Sequence, residues 1–243
     1  MKRAIGILTV LSTISQATAA DEVARGFITG VVTNVQGIPL KGVRITADDM
    51  HMYNSNLVTQ TDANGRYKIN VKNIATTWNV TARMILIYKE YSIPIELVPN
   101  NVQSVPGNVG GVRDFVLKPK EVSYGDPYGN LGRVNVQRPV GVYDIEESQL
   151  QLTLTPVGKL ADGTTGKPLS VKPIQTGSGW MVPNVMWGTY KVTATQSGQP
   201  LQVRKKASAT EIPEWGNSYT GDFVMAYSAT VPTLFIEVRH PPQ

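Results

Sequence analysis

After residue 26 the apolar side chains fall at every second position over short runs, the period of a half-buried strand and not of a helix. The first half of the chain contains such runs at residues 27–33, 37–40, 43–47, 66–71, 80–87, 91–97 and 112–117. Gly, Pro, Asn and Asp lie between them, as turns require. This spacing predicts an antiparallel β-sandwich or barrel. No convincing amphipathic helix follows the first twenty residues. The Asn64-Gly65 pair is expected to reverse the chain between residues 58–61 and 67–71, because both residues tolerate positive φ. In that hairpin Tyr67, Ile69 and Val71 would share the core face.

The second half reads as a diverged copy. Gly166-Lys167-Pro168-Leu169-Ser170-Val171 echoes Gly37-Ile38-Pro39-Leu40-Lys41-Gly42-Val43, and Gly188-Thr189-Tyr190 echoes Gly65-Arg66-Tyr67. Phe235-Ile236-Glu237-Val238 would close this half as Phe115-Val116-Leu117 closes the first. Between the halves, Tyr124-Gly125-Asp126-Pro127-Tyr128-Gly129-Asn130 has little periodicity and reads as a linker. Two readings of it stay open: a flexible connector, or an ordered arm anchored by Tyr124, Tyr128 and Tyr143.

The run Gly30-Val31-Val32, then Gly37-Ile38-Pro39-Leu40-Lys41-Gly42-Val43, then Thr61-Asp62-Ala63-Asn64-Gly65-Arg66-Tyr67 resembles the carboxypeptidase regulatory-like domain. The resemblance covers residues 27–118 and implies a transthyretin-like sandwich of about seven strands. Such domains are attached to peptidases, outer-membrane receptors and adhesins, so the resemblance implies a fold and not an activity. Met181-Val182-Pro183-Asn184-Val185 ahead of Gly188 is also common in transthyretin-like and collagen-adhesin B-type sandwiches. The expected fold is therefore all-β, with two transthyretin-like or Ig-like antiparallel sandwiches in tandem. The expected boundaries are 26–119 for the first sandwich, 120–147 for the linker and 148–243 for the second.

The N-terminus changes the compartment. Lys2 and Arg3 precede an apolar stretch from Ala4 to Ile14, and Ala17-Thr18-Ala19 supplies small residues at a cleavage site. This reads as a secretory signal peptide over residues 1–19, since the apolar stretch is shorter than the ~20 residues of a spanning helix. Cleavage is expected before Ala20 or, second, before Asp21. No later segment is long and apolar enough to span a bilayer. The expected location is periplasmic, cell-surface or secreted.

Composition then removes several classes of chemistry. With no Cys there is no disulfide, thiolate nucleophile or Cys-ligated metal. The formal charge of +5 drops to a mild +3 once Lys2 and Arg3 are set aside, and the basic residues are scattered. No basic stripe points to nucleic acid. Only His51 and His240 offer a general base, and no Gly-x-Ser-x-Gly elbow accompanies them. Asp48, Asp49 and His51 match no established metal spacing and read as a polar loop. Asp62-Ala63-Asn64-Gly65 begins like a calcium loop, but its twelfth position is Asn73 and not Glu. Glu146 and Glu147 are adjacent, and on a strand would face opposite sides. A transthyretin-like hydrolase would need several histidines and a characteristic C-terminal motif, both absent.

The aromatic residues remain. Trp180, Trp187 and Trp215 lie in the second half with Tyr190, Tyr219 and Tyr227. Tyr190 falls in the alternating run with Val192 and Ala194 and is expected in the core, while core and exposed binding ring both stay open for Trp180. Trp187 and Trp215 flank turns and are expected at the surface, where rings stack on sugars or anchor partners. The sequence thus predicts an exported protein that is not an enzyme, without cofactor or metal. Its partner would be a protein of the envelope or of a surface assembly, met through sheet edges and loops. The alternative is a polysaccharide-binding module. Trp187, Trp215, Tyr124 and Tyr128 are the candidate binding residues.

Overall fold

In the computed structural model, which describes residues 25–72, 74–227 and 229–242, the elements are strands apart from one 3-10 turn at Glu147–Gln149. The expected signal peptide and Asn73 lie outside the described residues. Among those residues no helix is long and apolar enough to cross a membrane.

The first half contains β1 (Phe27–Asn34), β2 (Arg44–Asp49), β3 (Asn56–Gln60), β4 (Arg66–Asn70), β5 (Thr77–Tyr88) and β6 (Tyr91–Glu96). Short strands follow: β7 (Val98–Pro99), β8 (Val105–Pro106), β9 (Gly110–Val112) and β10 (Phe115–Leu117). They form two five-stranded sheets. One runs β4-β1-β10-β7 with β9 beside β1, and the other β3-β2-β5-β6 with β8 beside β5. The alternation explains the two layers. Ile28 and Val32 of β1, Tyr67 and Ile69 of β4, Ile45 and Ala47 of β2, and Ile93 and Ile95 of β6 are all buried, while alternate residues face outward. Each large apolar side chain so buried contributes about 1.5–3 kcal/mol.

The expected hairpin at Asn64-Gly65 is corrected. β3 pairs with β2 and β4 with β1, so the reversal carries the chain from one sheet to the other. Asp62 shapes it: its Oδ1 accepts the amides of Asn64 and Arg66, both at 2.8 Å. Only Gly65 takes positive φ, at 70°. A Cβ there would stand 2.5 Å from the Val32 carbonyl oxygen, so the turn needs glycine for space as well as for backbone angle.

The second half contains β11 (Gly132–Gln137), β12 (Leu150–Val157), β13 (Leu169–Val171), β14 (Ile174–Thr176) and β15 (Gly179–Val185). It ends with β16 (Thr189–Gln196), β17 (Gln199–Lys205), β18 (Tyr219–Asp222) and β19 (Thr233–Arg239). These form one nine-stranded sheet, β13-β12-β16-β17-β19-β11-β15-β14, with β18 beside β16. β17 folds it over. Its start pairs with β16, Leu201 opposite Ala194, and its end pairs with β19, Val203 opposite Val238. In the first half β6 pairs with β5 and β7, just beyond it, pairs with β10.

The halves therefore repeat their central pairings, though not every strand has a counterpart. The first and last strands are parallel neighbours in each: β1 beside β10, and β11 beside β19. β2, β3 and β5 correspond to β12, β13 and β16 in order and pairing. The sequence echoes at 166–171 and 188–190 link strands that are not equivalent: Gly65 opens β4, while Gly188 opens β16.

The stretch read as a linker also differs from expectation. Its residues 132–137 are β11, a central strand held by β19 on one side and β15 on the other. The residues before it are an ordered arm in which Tyr124 is exposed; Tyr143, beyond β11, is exposed too, with the Arg138 guanidinium 5.9 Å from its ring centre. Two asparagines hold the arm. Asn184 Oδ1 accepts from the Asn130 amide (3.1 Å) and its Nδ2 donates to the Lys120 carbonyl (2.7 Å). Asn130 Nδ2 donates to the carbonyls of Glu96 (2.9 Å) and Lys118 (3.1 Å), back in the first half.

The tip of the β5–β6 hairpin clasps the two halves. Tyr88 donates its hydroxyl proton to the Gly188 carbonyl (3.2 Å) and accepts the Phe223 amide (3.1 Å). Its ring meets that of Phe223 edge-on at 6.3 Å. Burial lifts the Tyr88 hydroxyl to about 12, so it stays a neutral donor. Next to it, Lys89 takes φ +53° and pairs with Asp222 at 2.6 Å.

Trp187, expected at the surface, is fully buried. It sits where the chain enters β16, and its Nε1 donates to the Pro232 carbonyl (2.9 Å), so the ring closes one end of the core instead of facing water.

Two outcomes follow. Trp187→Ala is expected to cost about 3–5 kcal/mol in denaturant unfolding, as for a deleted core ring. Burial pushes the Asp222 carboxyl up, but the bonds from Lys89, Thr189 and Tyr88 and the Lys89 charge outweigh it and hold its pKa below 3.8. A depressed acid stabilises the fold above its unfolded value and loses that contribution as pH falls through the folded value. The Tm gap between wild type and Asp222→Asn should be open at neutral pH and should close in acid below 3.8. A gap that widens in acid contradicts the clasp.

Candidate functional site

The outer face of the β19–β11–β15 sheet carries a half-open groove of about 520 Å³. Its floor is built by alternation. Arg133, Asn135 and Gln137 point outward from β11, opposite Thr233, Phe235 and Glu237 of β19. Tyr128 from the arm, Trp180 from β15, and Lys206 and Tyr227 from the loops around β19 supply the walls.

A bulge aims the arginine. Gly132 is paired with Val185 and Val134 with Val182, so β15 has one residue more than β11 across this step. Bulges bend a strand and redirect the side chain opposite. Asn184, inside the bulge, takes φ +61°. The Arg133 guanidinium lies 4.6 Å from the centre of the Tyr128 ring. Burial lowers its pKa, although an arginine remains charged throughout the physiological range. The Tyr128 hydroxyl is 3.2 Å from Ser178 Oγ, and that bond is the leading cause of its lowered pKa.

On the opposite wall the Tyr227 ring stands edge-on to Phe235 at 4.8 Å, with Lys206 Nζ 4.2 Å from its centre. Tyr227 takes φ +51°, a strained conformation for a non-glycine residue. Glu147 also reaches the groove, paired with Arg138 at 3.4 Å. A second hollow of about 830 Å³ lies alongside, between Pro94 and Leu97 of the first half and Lys120 and Asn130 of the arm. Arg133 lines both.

The four candidate residues separate. Tyr128 belongs to the groove. Tyr124 is exposed on the arm and lies against a shallow depression with Ile174 and Thr176. Trp187 is core. Trp215 is half-buried, with the guanidiniums of Arg204 and Arg239 at 4.2 and 4.4 Å from its ring, so its faces are engaged by the chain itself. Trp180, left open between core and surface, is half-buried: it packs against the core and lines the groove. Arg133, Lys206 and Tyr227 were not singled out in the sequence. The alternation Arg133-Val134-Asn135-Val136-Gln137 is the one signal that pointed to the first of them.

Of the acidic groups weighed for catalysis or metal binding, Asp49, Glu146 and Glu147 make structural bonds. Asp49 Oδ1 accepts the Thr76 hydroxyl (2.6 Å) and the amides of His51 (2.8 Å) and Met52 (3.1 Å); the Thr76 bond leads in lowering its pKa. Among the described residues no three His, Asp or Glu gather as a metal site. Glu146 and Glu147 lie at the 3-10 turn and not on a strand, and Glu146 accepts the Ser148 hydroxyl at 2.9 Å.

No family model and no curated protein matches the chain. Among solved structures it is similar to the Bacillus anthracis TIE protein, at 10% identity and a TM-score of 0.33, over 88% of this chain and 34% of that one. The chain thus spans about a third of that protein's length. It is similar to a candidate polysaccharide-binding protein from Bacteroides thetaiotaomicron at 11% identity and a TM-score of 0.26, over 72% of this chain and 78% of the other. A candidate adhesin from Bacteroides ovatus matches at 9% identity and a TM-score of 0.26, over 98% and 96%. Likenesses of this size carry neither ligand nor partner over to this chain.

Proposed function

We propose that the chain is an exported, non-catalytic binding module of the cell envelope or of a surface assembly, and that it binds through the groove on its second sandwich. The observation that supports this is the groove's lining. Aromatic rings and two cations converge on a stiff sheet face, and Glu147, the carboxylate there, is held by Arg138. Pockets that fix a ligand by shape and a few polar groups have this character.

Binding through sheet edges fits less well. The edge strands β13 and β14 of the second half are three residues each, and edge strand β6 carries Pro94, which lacks a ladder donor. The polysaccharide reading rests on the same groove once Trp180 and Tyr128 replace Trp187 and Trp215 as the stacking rings. Export rests on the N-terminal sequence, and the two sandwiches are proposed to divide in the arm, with β11 assigned to the second.

The test uses the secreted, processed chain and isolated envelope or intact cells. Its N-terminus should be Ala20 or Asp21. Trp180→Ala and Tyr128→Ala should lower retention on the envelope several-fold, while Ile85→Ser, on an exposed face of the first half, should leave it unchanged. An unprocessed N-terminus contradicts export, and unchanged retention of both groove variants contradicts the site.

A further inference from the structure

Most of the well-placed cations in this chain have an acceptor. Lys89 is paired with Asp222, Lys120 with Asp126, Arg138 with Glu147, Arg204 with Glu237 and Lys205 with Glu211. Arg239 donates to Gln202 Oε1 and Arg113 to the Gln103 carbonyl. Arg133 and Lys206 are the half-buried exceptions, and both line the same groove. Among the described residues neither has a carboxylate within 4 Å. Among the described residues the Arg133 Nε is buried without an acceptor, and none accepts a bond from its terminal nitrogens.

A guanidinium placed 4.6 Å from the centre of a tyrosine ring and supplied with no acceptor is a planar fork of donors. Such a fork matches a carboxylate, which accepts two parallel N–H bonds. The rest of the lining is amphipathic in a second way. Trp180, packed on its inner side against the core, and Tyr128 line it with aromatic rings, while Asn135, which donates to the Ser178 carbonyl, Ser178, whose hydroxyl meets that of Tyr128, and Gln137 line it with polar groups. Pyranose rings carry both surfaces, C–H faces that stack on aromatic rings and hydroxyls that bond amides. The groove is open along one side, which suits a segment of polymer. A purely peptidic acid would meet Arg133 and Lys206 and have less use for the adjoining rings.

We propose that the groove binds an acidic polysaccharide, with a uronate ring on Trp180 and Tyr128 and its carboxylate on Arg133, supported by Lys206. This rests on the groove being the binding face and adds the ligand class.

The full secreted chain is run in affinity gels containing polygalacturonate or alginate, beside neutral galactan and dextran, with poly-glutamate as a peptide polyanion. Retardation is expected in the two uronate gels, weakening as salt is raised, and not in the neutral gels or with poly-glutamate. Arg133→Gln should weaken uronate binding about tenfold or more, the scale of a lost charge-assisted pair. Trp180→Ala should weaken it comparably. Both variants should keep a wild-type far-UV spectrum and a cooperative melt. If Arg133→Gln unfolds the chain, Lys206→Gln tests the charge in its place, and a several-fold loss is expected.

Equal retardation by neutral polymers, with Trp180→Ala still disruptive, overturns the acidic ligand and leaves the groove. Retardation by poly-glutamate as strong as by uronate also overturns it. Absence of binding to both uronate polymers, or indifference of folded Arg133→Gln and Lys206→Gln, overturns it as well. Indifference of Trp180→Ala in both this assay and the envelope assay removes the groove itself.

Discussion

The structure depends on one strand taking its place between two others. β11 lies parallel to β19, Arg133 opposite Thr233 through to Gln137 opposite Glu237, and antiparallel to β15. Val134 and Val136 enter the core from its inner face, and Arg133, Asn135 and Gln137 make the groove floor from its outer face. Because β19 is the last strand, the second sheet closes only when residues a hundred positions apart meet. A parallel pairing of that span costs loop-closure entropy before it returns any contact. The apolar inner face of β11, and the asparagine pair that seats the arm ahead of it, offset that cost.

The repeat explains why β11 is indispensable. In each half the opening strand stands beside the closing strand; β17 alone joins both layers of the second half, while in the first β6 and β7 divide that work. Without β11 the second half would leave the ladders of β15 and β19 unpaired at its centre, a loss no surface loop replaces. The Tyr88 clasp uses the same economy of parts. The hairpin tip of the first half reaches the β16–β18 edge of the second and finds there a carbonyl, an amide and a carboxylate. Lys89 holds a left-handed backbone where glycine or asparagine would be easier, and the charge it brings to Asp222 accounts for a lysine there.

Legibility in the sequence followed the length of the alternating run. β1, β2, β4, β5 and β6 could be read because five or more residues alternate between clear turn signals. β11 has only Val134 and Val136 to alternate, and it is flanked by Gly129-Asn130 and by Pro139 and Gly141. Its partners are remote in sequence, so nothing local marks it. The Asn64-Gly65 turn was legible as a reversal but not as a change of sheet, since which strand β3 joins is decided by β2. Trp187 was misplaced for a related reason. Proximity to a turn says little about exposure at the end of a sandwich, where a ring can close the core if its N–H finds a carbonyl, as Trp187 finds Pro232. Of the four candidates only Tyr128 lines the groove, and the sequence had placed it on a linker and not in a groove. Arg133 escaped because its distinguishing property is the absence of an acceptor, which only the fold reveals.

That absence has a cost, and the cost is informative. A buried guanidinium nitrogen without a partner destabilises the folded chain by roughly 1–3 kcal/mol or more for a charged group. Stacking on Tyr128 recovers about 0.5–2 kcal/mol of it. The same groove holds Tyr227 and, across the bulge, Asn184 in left-handed conformations, each costing on the order of 1–3 kcal/mol where the surroundings enforce it. Elsewhere in the second sandwich the buried arginine is fully satisfied, as Arg204 is by Glu237 and the Pro213 carbonyl. A chain able to satisfy one arginine so completely has the means to satisfy its neighbour. Among the described residues Trp78 Nε1 and Arg113 Nη1 are also buried without a partner, and Asn54, Lys89 and Ser197 are also left-handed, so neither feature is special to the groove. What sets the groove apart is that an unpaired arginine, a lysine without a carboxylate and aromatic rings line one hollow, as a preorganised site requires.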